Sequence, residues 1–182
     1  MVERSVLKGE ITSEHPNQSI VGFVSRLGTL SPSFIKYVHT PEGDLPTPAA
    51  YHNVTDIGRP VAWVVVKLFT LAYALAIVLL CRTPRTERRG WRFTAECELI
   101  VLGMLLLSER TWKHHAVILL FPAVALAFAT TFELPNWVGR FLIGILILAA
   151  ILMTLAGVFG PHLADLALVY GTLTLAFGLL VL

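Results

Sequence analysis

Eight consecutive residues, Ser108-Glu109-Arg110-Thr111-Trp112-Lys113-His114-His115, carry most of the chemistry open to this chain. Arginine presents a planar fork that matches phosphate oxygens, and lysine a compact point charge. Arg110, Lys113, His114 and His115 together suit an anionic phosphate, with Trp112 as an apolar wall. Titratable groups between two apolar segments are costly in a membrane and are functional candidates for that reason. A phosphate whose hydrophobic tail stays in the bilayer would fit such a place. The plain alternative is that Trp, Arg and Lys mark a membrane interface. Neighbouring histidines on a helix project to different faces, which favours the alternative.

A second cluster lies near the start. Asn17-Gln18 offers two amide side chains that both donate and accept, as sugar hydroxyls require. Pro16 ahead of Ile20, Val24 and Leu27 also suits an ordinary helix start, with Asn17 or Ser19 as the cap. Asn17-Gln18-Ser19 and Asn53-Val54-Thr55 match the glycosylation acceptor pattern, which is short and frequent.

The elements that must position these clusters follow from composition. Of 182 residues, 55% are hydrophobic and 14% charged, with a mean hydropathy of +0.73. Soluble domains carry about 25% charged residues, so the chain reads as an integral membrane protein. The formal charge of +2 is too small for a nucleic-acid footprint. Cys81 and Cys97 fit neither a disulfide framework nor a zinc pattern, so no metal or cofactor is expected. A bis-histidine haem would need histidines facing each other inside two helices, whereas His114 and His115 share one loop edge.

The chain divides near residue 60. Residues 1–60 hold 11 of the 26 charged residues and 6 of the 10 prolines, and read as an extracytoplasmic or interfacial segment with short helices. Residues 61–182 read as a transmembrane region with about five spans, at 61–80, 93–107, 115–132, 141–159 and 166–182. A span needs about 20 apolar residues at about 1.5 Å rise each. The expected fold class is therefore all-α, a polytopic transmembrane helical bundle. Pro122 should kink the fourth span. Loop 81–92 carries five arginines against Glu87. The positive-inside rule places it in the cytoplasm of a multi-pass inner-membrane protein. Loop 108–115, residues 1–60 and residues 160–165 then lie outside. Lys67 should snorkel to the outer surface, Glu96 and Glu98 should pair with Arg92 or Arg89, and His162 and Asp165 should be solvated.

The two clusters together resemble the later, C-terminal part of the polyprenol-phosphate-mannose-dependent mannosyltransferases of glycosyltransferase family 87, membrane enzymes of the GT-C fold. That family carries an Asn-Gln-Ser segment followed by an arginine, here Asn17-Gln18-Ser19 and Arg26. It also carries a Ser-Pro-x-Ser-Trp-x-His-His hairpin leading into Leu-Leu-x-Pro, here Ser108 to His115 and Leu119-Leu120-Phe121-Pro122. Glu109 and Thr111 depart from the family's Pro and Ser. The resemblance covers about residues 15–135. It implies transfer of mannose or a related hexose from a polyprenyl-phosphate sugar to an extracytoplasmic glycan or lipid acceptor. It also implies that Asn17, Gln18 and Arg26 contact sugar or acceptor.

Such a transfer needs a cationic site for the departing phosphate and a carboxylate base for the acceptor hydroxyl. The family's base aspartate follows a first membrane helix, and no acid here has that context. The expectation is an incomplete enzyme, inactive alone, that lacks upstream helices or a partner chain. The competing reading is a non-enzymatic polytopic membrane protein or subunit.

Overall fold

The computed structural model describes residues 13–41, 43–132, 135–158 and 160–181. The chain is mostly helical, as expected. Helix α1 (Ile20–Gly28) is capped by Ser19, whose Oγ accepts the Gly22 N–H at 3.2 Å. A β-hairpin follows, β1 (Phe34–Thr40) and β2 (Gly43–Ala50), and then α2 (Arg59–Leu80) with Pro60 in its first turn. After a 3-10 turn at Arg85–Glu87 come α3 (Gly90–Leu107) and a longer 3-10 segment, Lys113–Leu119. Helices α4 (Leu120–Phe132), α5 (Asn136–Val158), α6 (Pro161–Val169) and α7 (Thr172–Val181) complete the described chain.

Among the described residues, one helix is long and apolar enough to cross a bilayer, Gly58–Leu80. Its 22 α-helical residues give about 33 Å of rise. Val117–Phe132 and Trp137–Leu152 are apolar but shorter. Helix α2 shows most of its apolar side chains outward, Lys67 is exposed on it, and only Ala62, Val66 and Tyr73 are buried.

The core gathers Tyr73 of α2, Leu99, Leu102, Leu105 and Leu106 of α3, Leu119, Leu168 of α6, and Leu173 and Phe177 of α7. Tyr73 donates its hydroxyl to the Leu99 carbonyl at 2.7 Å, so a buried polar tip is satisfied. Its ring fills the space beside Gly103, where a Cβ would meet Tyr73 Cε1 at 2.6 Å.

Three expectations change. Residues 1–60 are not short helices throughout, because 34–50 form an antiparallel hairpin. Phe34-Ile35-Lys36-Tyr37-Val38 is a β-branched and aromatic run that favours extended backbone. Pro46 and Pro48, opposite Tyr37 and Ile35, are tolerated because β2 has a partner on one side only. The run 166–182 is not one span: it breaks at Tyr170-Gly171, where Gly171 has φ +73°. A Cβ there would meet the Phe23 ring at 2.3 Å. Finally, Pro122 does not kink a long helix. It lies buried in the first turn of α4, where its missing N–H leaves no α-helical bond unmade, and the irregularity falls just before it as the 3-10 segment.

Candidate functional site

The chain's two chemically rich clusters meet. Asn17 and the 108–112 loop lie about ninety positions apart in sequence, yet the Asn17 amide bonds that loop at both ends. Its Nδ2 donates to the Glu109 carbonyl at 2.9 Å, and its Oδ1 accepts the Thr111 N–H at 3.0 Å. The Gln18 N–H donates to the Thr111 carbonyl at 2.6 Å. Asn17 sits this close to α1 because residue 22 is glycine: a Cβ there would lie 2.7 Å from the Asn17 amide carbon.

Gln18 and Arg26 bind a third segment. Gln18 Nε2 donates to the Leu168 carbonyl at 2.8 Å, and Thr174 donates its hydroxyl to the Gln18 carbonyl at 2.8 Å. Arg26 is fully buried. Its Nε donates to the Val169 carbonyl at 2.7 Å and its Nη2 to that of Leu168 at 3.2 Å. Its Nη1 reaches the carbonyls of Ser13, Glu14 and Asn17 at 3.0–3.3 Å. The cation therefore sits on the C-terminal carbonyls of α6, where the helix dipole favours positive charge. Burial pulls its pKa down to about 10, which leaves it charged at neutral pH.

Asn17, Gln18 and Arg26 are thus 0–2% exposed and hold backbone. As placed, these side chains are buried against backbone carbonyls and amides, where sugar or acceptor contacts were expected of them. They join residues 13–33 and the 108–112 loop, both expected outside the membrane, to the α6–α7 turn, which falls inside the expected span 166–182.

The loop they anchor is itself ordered by backbone bonds. Thr111, 1% exposed, donates its hydroxyl to the Leu105 carbonyl. Thr111 and Glu109 are the two positions that depart from the resembled motif. Threonine keeps the hydroxyl that serine would supply, and Glu109 meets Asn17 through a main-chain carbonyl that proline also carries. Arg110 and His114 are exposed, Trp112 is 39% exposed and His115 half-buried. The side chain of Lys113 lies outside the described residues.

The histidines do not diverge. The 3-10 segment brings the His114 and His115 ring centroids to 4.3 Å, with Trp112 6.1 Å from His114. The Trp112 N–H donates to His115 Nδ1 at 3.0 Å, and the His115 N–H donates back to the Trp112 carbonyl at 2.9 Å. Directly after these rings, Val117, Ile118, Leu120, Phe121 and Val124 form, with Val101 of α3, an open apolar groove of about 540 Å³. Among the described residues no group of three or more His, Cys, Asp or Glu is placed to hold a metal ion.

Two further contacts were not legible in the sequence. His15 stacks on Phe34 at 4.3 Å, and its Nε2 lies 3.5 Å from Oδ1 of Asp165, whose side chain stays about half exposed, a pairing that is ionic only when His15 is protonated. Burial lowers the His15 pKa below 6.5 and outweighs the Ser33 carbonyl and Asp165, which raise it. At the other end of α3, Glu96 feels the charge of Arg92, as expected, but is held chiefly by hydrogen bonds. Its Oε1 accepts the Arg82 and Thr83 N–H groups at 3.1 and 2.8 Å and the Thr83 hydroxyl at 2.5 Å, closing the basic loop onto α3. Glu98 Oε1 is buried with no hydrogen-bond partner.

No family model, no curated protein and no solved structure matches this chain. Its likeness to family 87 enzymes rests on the two motifs alone.

Proposed function

We propose that this chain is a membrane-embedded portion of a GT-C hexosyltransferase that binds a polyprenyl-phosphate sugar through the loop 108–115 and its adjoining groove. The observation that carries this reading is the junction of an exposed polar cluster with an apolar groove. Arg110, Trp112, His114 and His115 lead directly into Val117, Ile118, Leu120, Phe121 and Val124. An amphiphile with an anionic head and an isoprenoid tail has that polarity pattern. Arg110 and Lys113 supply the charge for the phosphate, His114 and His115 supply ring nitrogens, and Trp112 walls the head from the tail.

In this reading four segments cross the membrane, 61–80, 93–107, 115–132 and 141–158, with loop 81–92 cytoplasmic and loop 108–115 outside. Helices α6 and α7 pack from the outer side, and their shared turn rests on Gln18 and Arg26. The cationic loop stabilises the departing phosphate, whose negative charge grows as the glycosidic bond breaks. The resemblance to the family implies that the carboxylate that deprotonates the acceptor is supplied by upstream helices or a partner chain. The mannose or related hexose passes to an extracytoplasmic glycan or lipid acceptor.

The test is direct binding of a polyprenyl monophosphate to the full chain in detergent, read by native mass spectrometry. Binding that weakens at least tenfold in both Arg110→Ala and His115→Ala, at unchanged helicity, supports the donor site. Equal binding by wild type and both variants refutes it and leaves the non-enzymatic membrane subunit.

A further inference from the structure

We infer that the Asn17 clamp fixes the tautomer of His115, so that the loop presents a neutral Nε2–H donor to a bound phosphate. The inference rests on the donor-site reading for its ligand, and on hydrogen-bond geometry alone for its tautomer.

A backbone N–H can only donate, and the Trp112 N–H lies 3.0 Å from His115 Nδ1. Nδ1 must therefore carry a lone pair. In a neutral imidazole the other nitrogen then carries the proton. His115 is thus an Nε2–H donor whenever it is neutral, whereas the opposite tautomer would set N–H against N–H. The main chain beneath the ring is fixed as well, because the His115 backbone N–H donates to the Trp112 carbonyl. These reciprocal bonds lock residues 112 and 115 into one turn.

What aims the Trp112 N–H is the residue before it. Thr111 is bonded at its N–H to Asn17 Oδ1, at its carbonyl to the Gln18 N–H and at its hydroxyl to Leu105. The Gln18 bond orients the peptide plane joining Thr111 to Trp112, and the Asn17 bond orients the plane before it. The chain of causes runs from Gly22, which admits the Asn17 amide, through Thr111 and Trp112 to one ring nitrogen of His115. Asn17 is accordingly a positioning residue, 2% exposed and acting through the loop.

The chemical consequence is selectivity of role. A neutral N–H donor hydrogen-bonds a phosphate oxygen without adding charge, which leaves Arg110 and Lys113 to balance it. Such a donor remains useful at a pH where imidazolium has lost its proton.

The experiment uses the full chain in detergent micelles, labelled with 15N-histidine, at about pH 8, above the ordinary imidazole range. His115 is assigned as the ring signal lost in His115→Gln. Wild type should show protonated Nε2 and bare Nδ1 at His115. In Gly22→Ala and Asn17→Ala, at unchanged helicity, that single pattern should give way to a mixture of tautomers. A protonated Nδ1 in wild type overturns the inference outright, with no variant needed. An undisturbed Nε2–H pattern in both helical variants overturns the role of the clamp. Dodecyl phosphate is then titrated as the probe, and the His115 Nε2 signal should shift. A fixed Nε2–H that ignores dodecyl phosphate refutes the donor-site reading while the tautomer stands, so the two failures are distinguishable.

Discussion

Asn17 Oδ1 accepts the Thr111 N–H at 3.0 Å across 94 positions of sequence, and the same amide donates to the Glu109 carbonyl at 2.9 Å. A side-chain amide thereby does for this loop what a neighbouring strand does in a sheet: it satisfies one donor and one acceptor of the main chain. The consequence is a loop of fixed shape that carries exposed Arg110, Trp112 and His114 on a buried footing.

Removing the Asn17 amide should therefore destabilise the fold as well as the loop. Asn17→Ala leaves the Thr111 N–H without this partner, while the Glu109 carbonyl keeps a long bond from the Ser19 hydroxyl at 3.5 Å. The expected loss is about 1–3 kcal/mol, the usual range for a buried polar group left unpaired. Thermal unfolding of wild type and variant in the same detergent checks it. A change within about 0.5 kcal/mol, the range of ordinary surface substitutions, would contradict the burial of this contact.

Arg26 should be among the least replaceable of residues 13–30. Arg26→Met removes a guanidinium that serves five carbonyls from two segments. A loss of about 3 kcal/mol or more is expected. Arg26→Lys should recover only part of it, because an ammonium has three donors and no planar fork. Denaturation midpoints of the two variants measure the difference, and full rescue by lysine would show that charge alone suffices.

His15 gives a pH dependence whose sign follows from burial. Its folded pKa lies below the ordinary 6.5. The unfolded chain therefore binds this proton more readily, and stability rises with pH wherever that difference exists. The contribution is fully present above about pH 6.5 and declines as pH falls toward the folded value. Asp165→Asn removes a charge that raises the His15 pKa, so the decline should steepen. Unfolding of wild type, His15→Asn and Asp165→Asn between about pH 7.5 and pH 5 decides it. A wild type that gains stability over His15→Asn on acidification would reverse the assignment.

Neither glycosylation pattern should be used, and the reason differs from the brevity of the pattern. Asn17 is buried in the clamp. Asn53 Nδ2 donates to the carbonyls of Arg26, Thr29 and Ser31, tying the end of α1 to the segment before α2. A glycan on either nitrogen would break these bonds. Expression in a glycosylating host, followed by intact-mass measurement, should show no added sugar on the folded chain. Glycan at Asn53 would mean that this tie opens.

Several elements were legible without coordinates. The apolar runs gave helices near the expected places: α2 for 61–80, α3 for 93–107 and α5 for 141–159. Runs of this length have few alternatives when nearly every residue is apolar. The break at Tyr170-Gly171 was hidden because composition does not change there. Gly171 takes a positive φ and meets Phe23, a residue almost 150 positions away. The hairpin at 34–50 was hidden for a related reason. Prolines normally argue against a strand, and only a two-stranded ribbon with an open edge accommodates Pro46 and Pro48. Likewise, adjacent histidines diverge on an α-helix, but the 3-10 segment at Lys113–Leu119 sets the rings of His114 and His115 4.3 Å apart.

By itself the sequence determined the apolar character of the chain, the helical runs and the identity of its two polar clusters, because residue type and local period suffice for each. Only the tertiary structure decided what the clusters do to one another. Asn, Gln and Arg side chains are equally suited to a sugar and to a backbone carbonyl, and the choice depends on which acceptor lies within about 3 Å. Here the peptides of Glu109, Thr111, Leu168 and Val169 lie that close, so Asn17, Gln18 and Arg26 act as struts beneath the exposed loop.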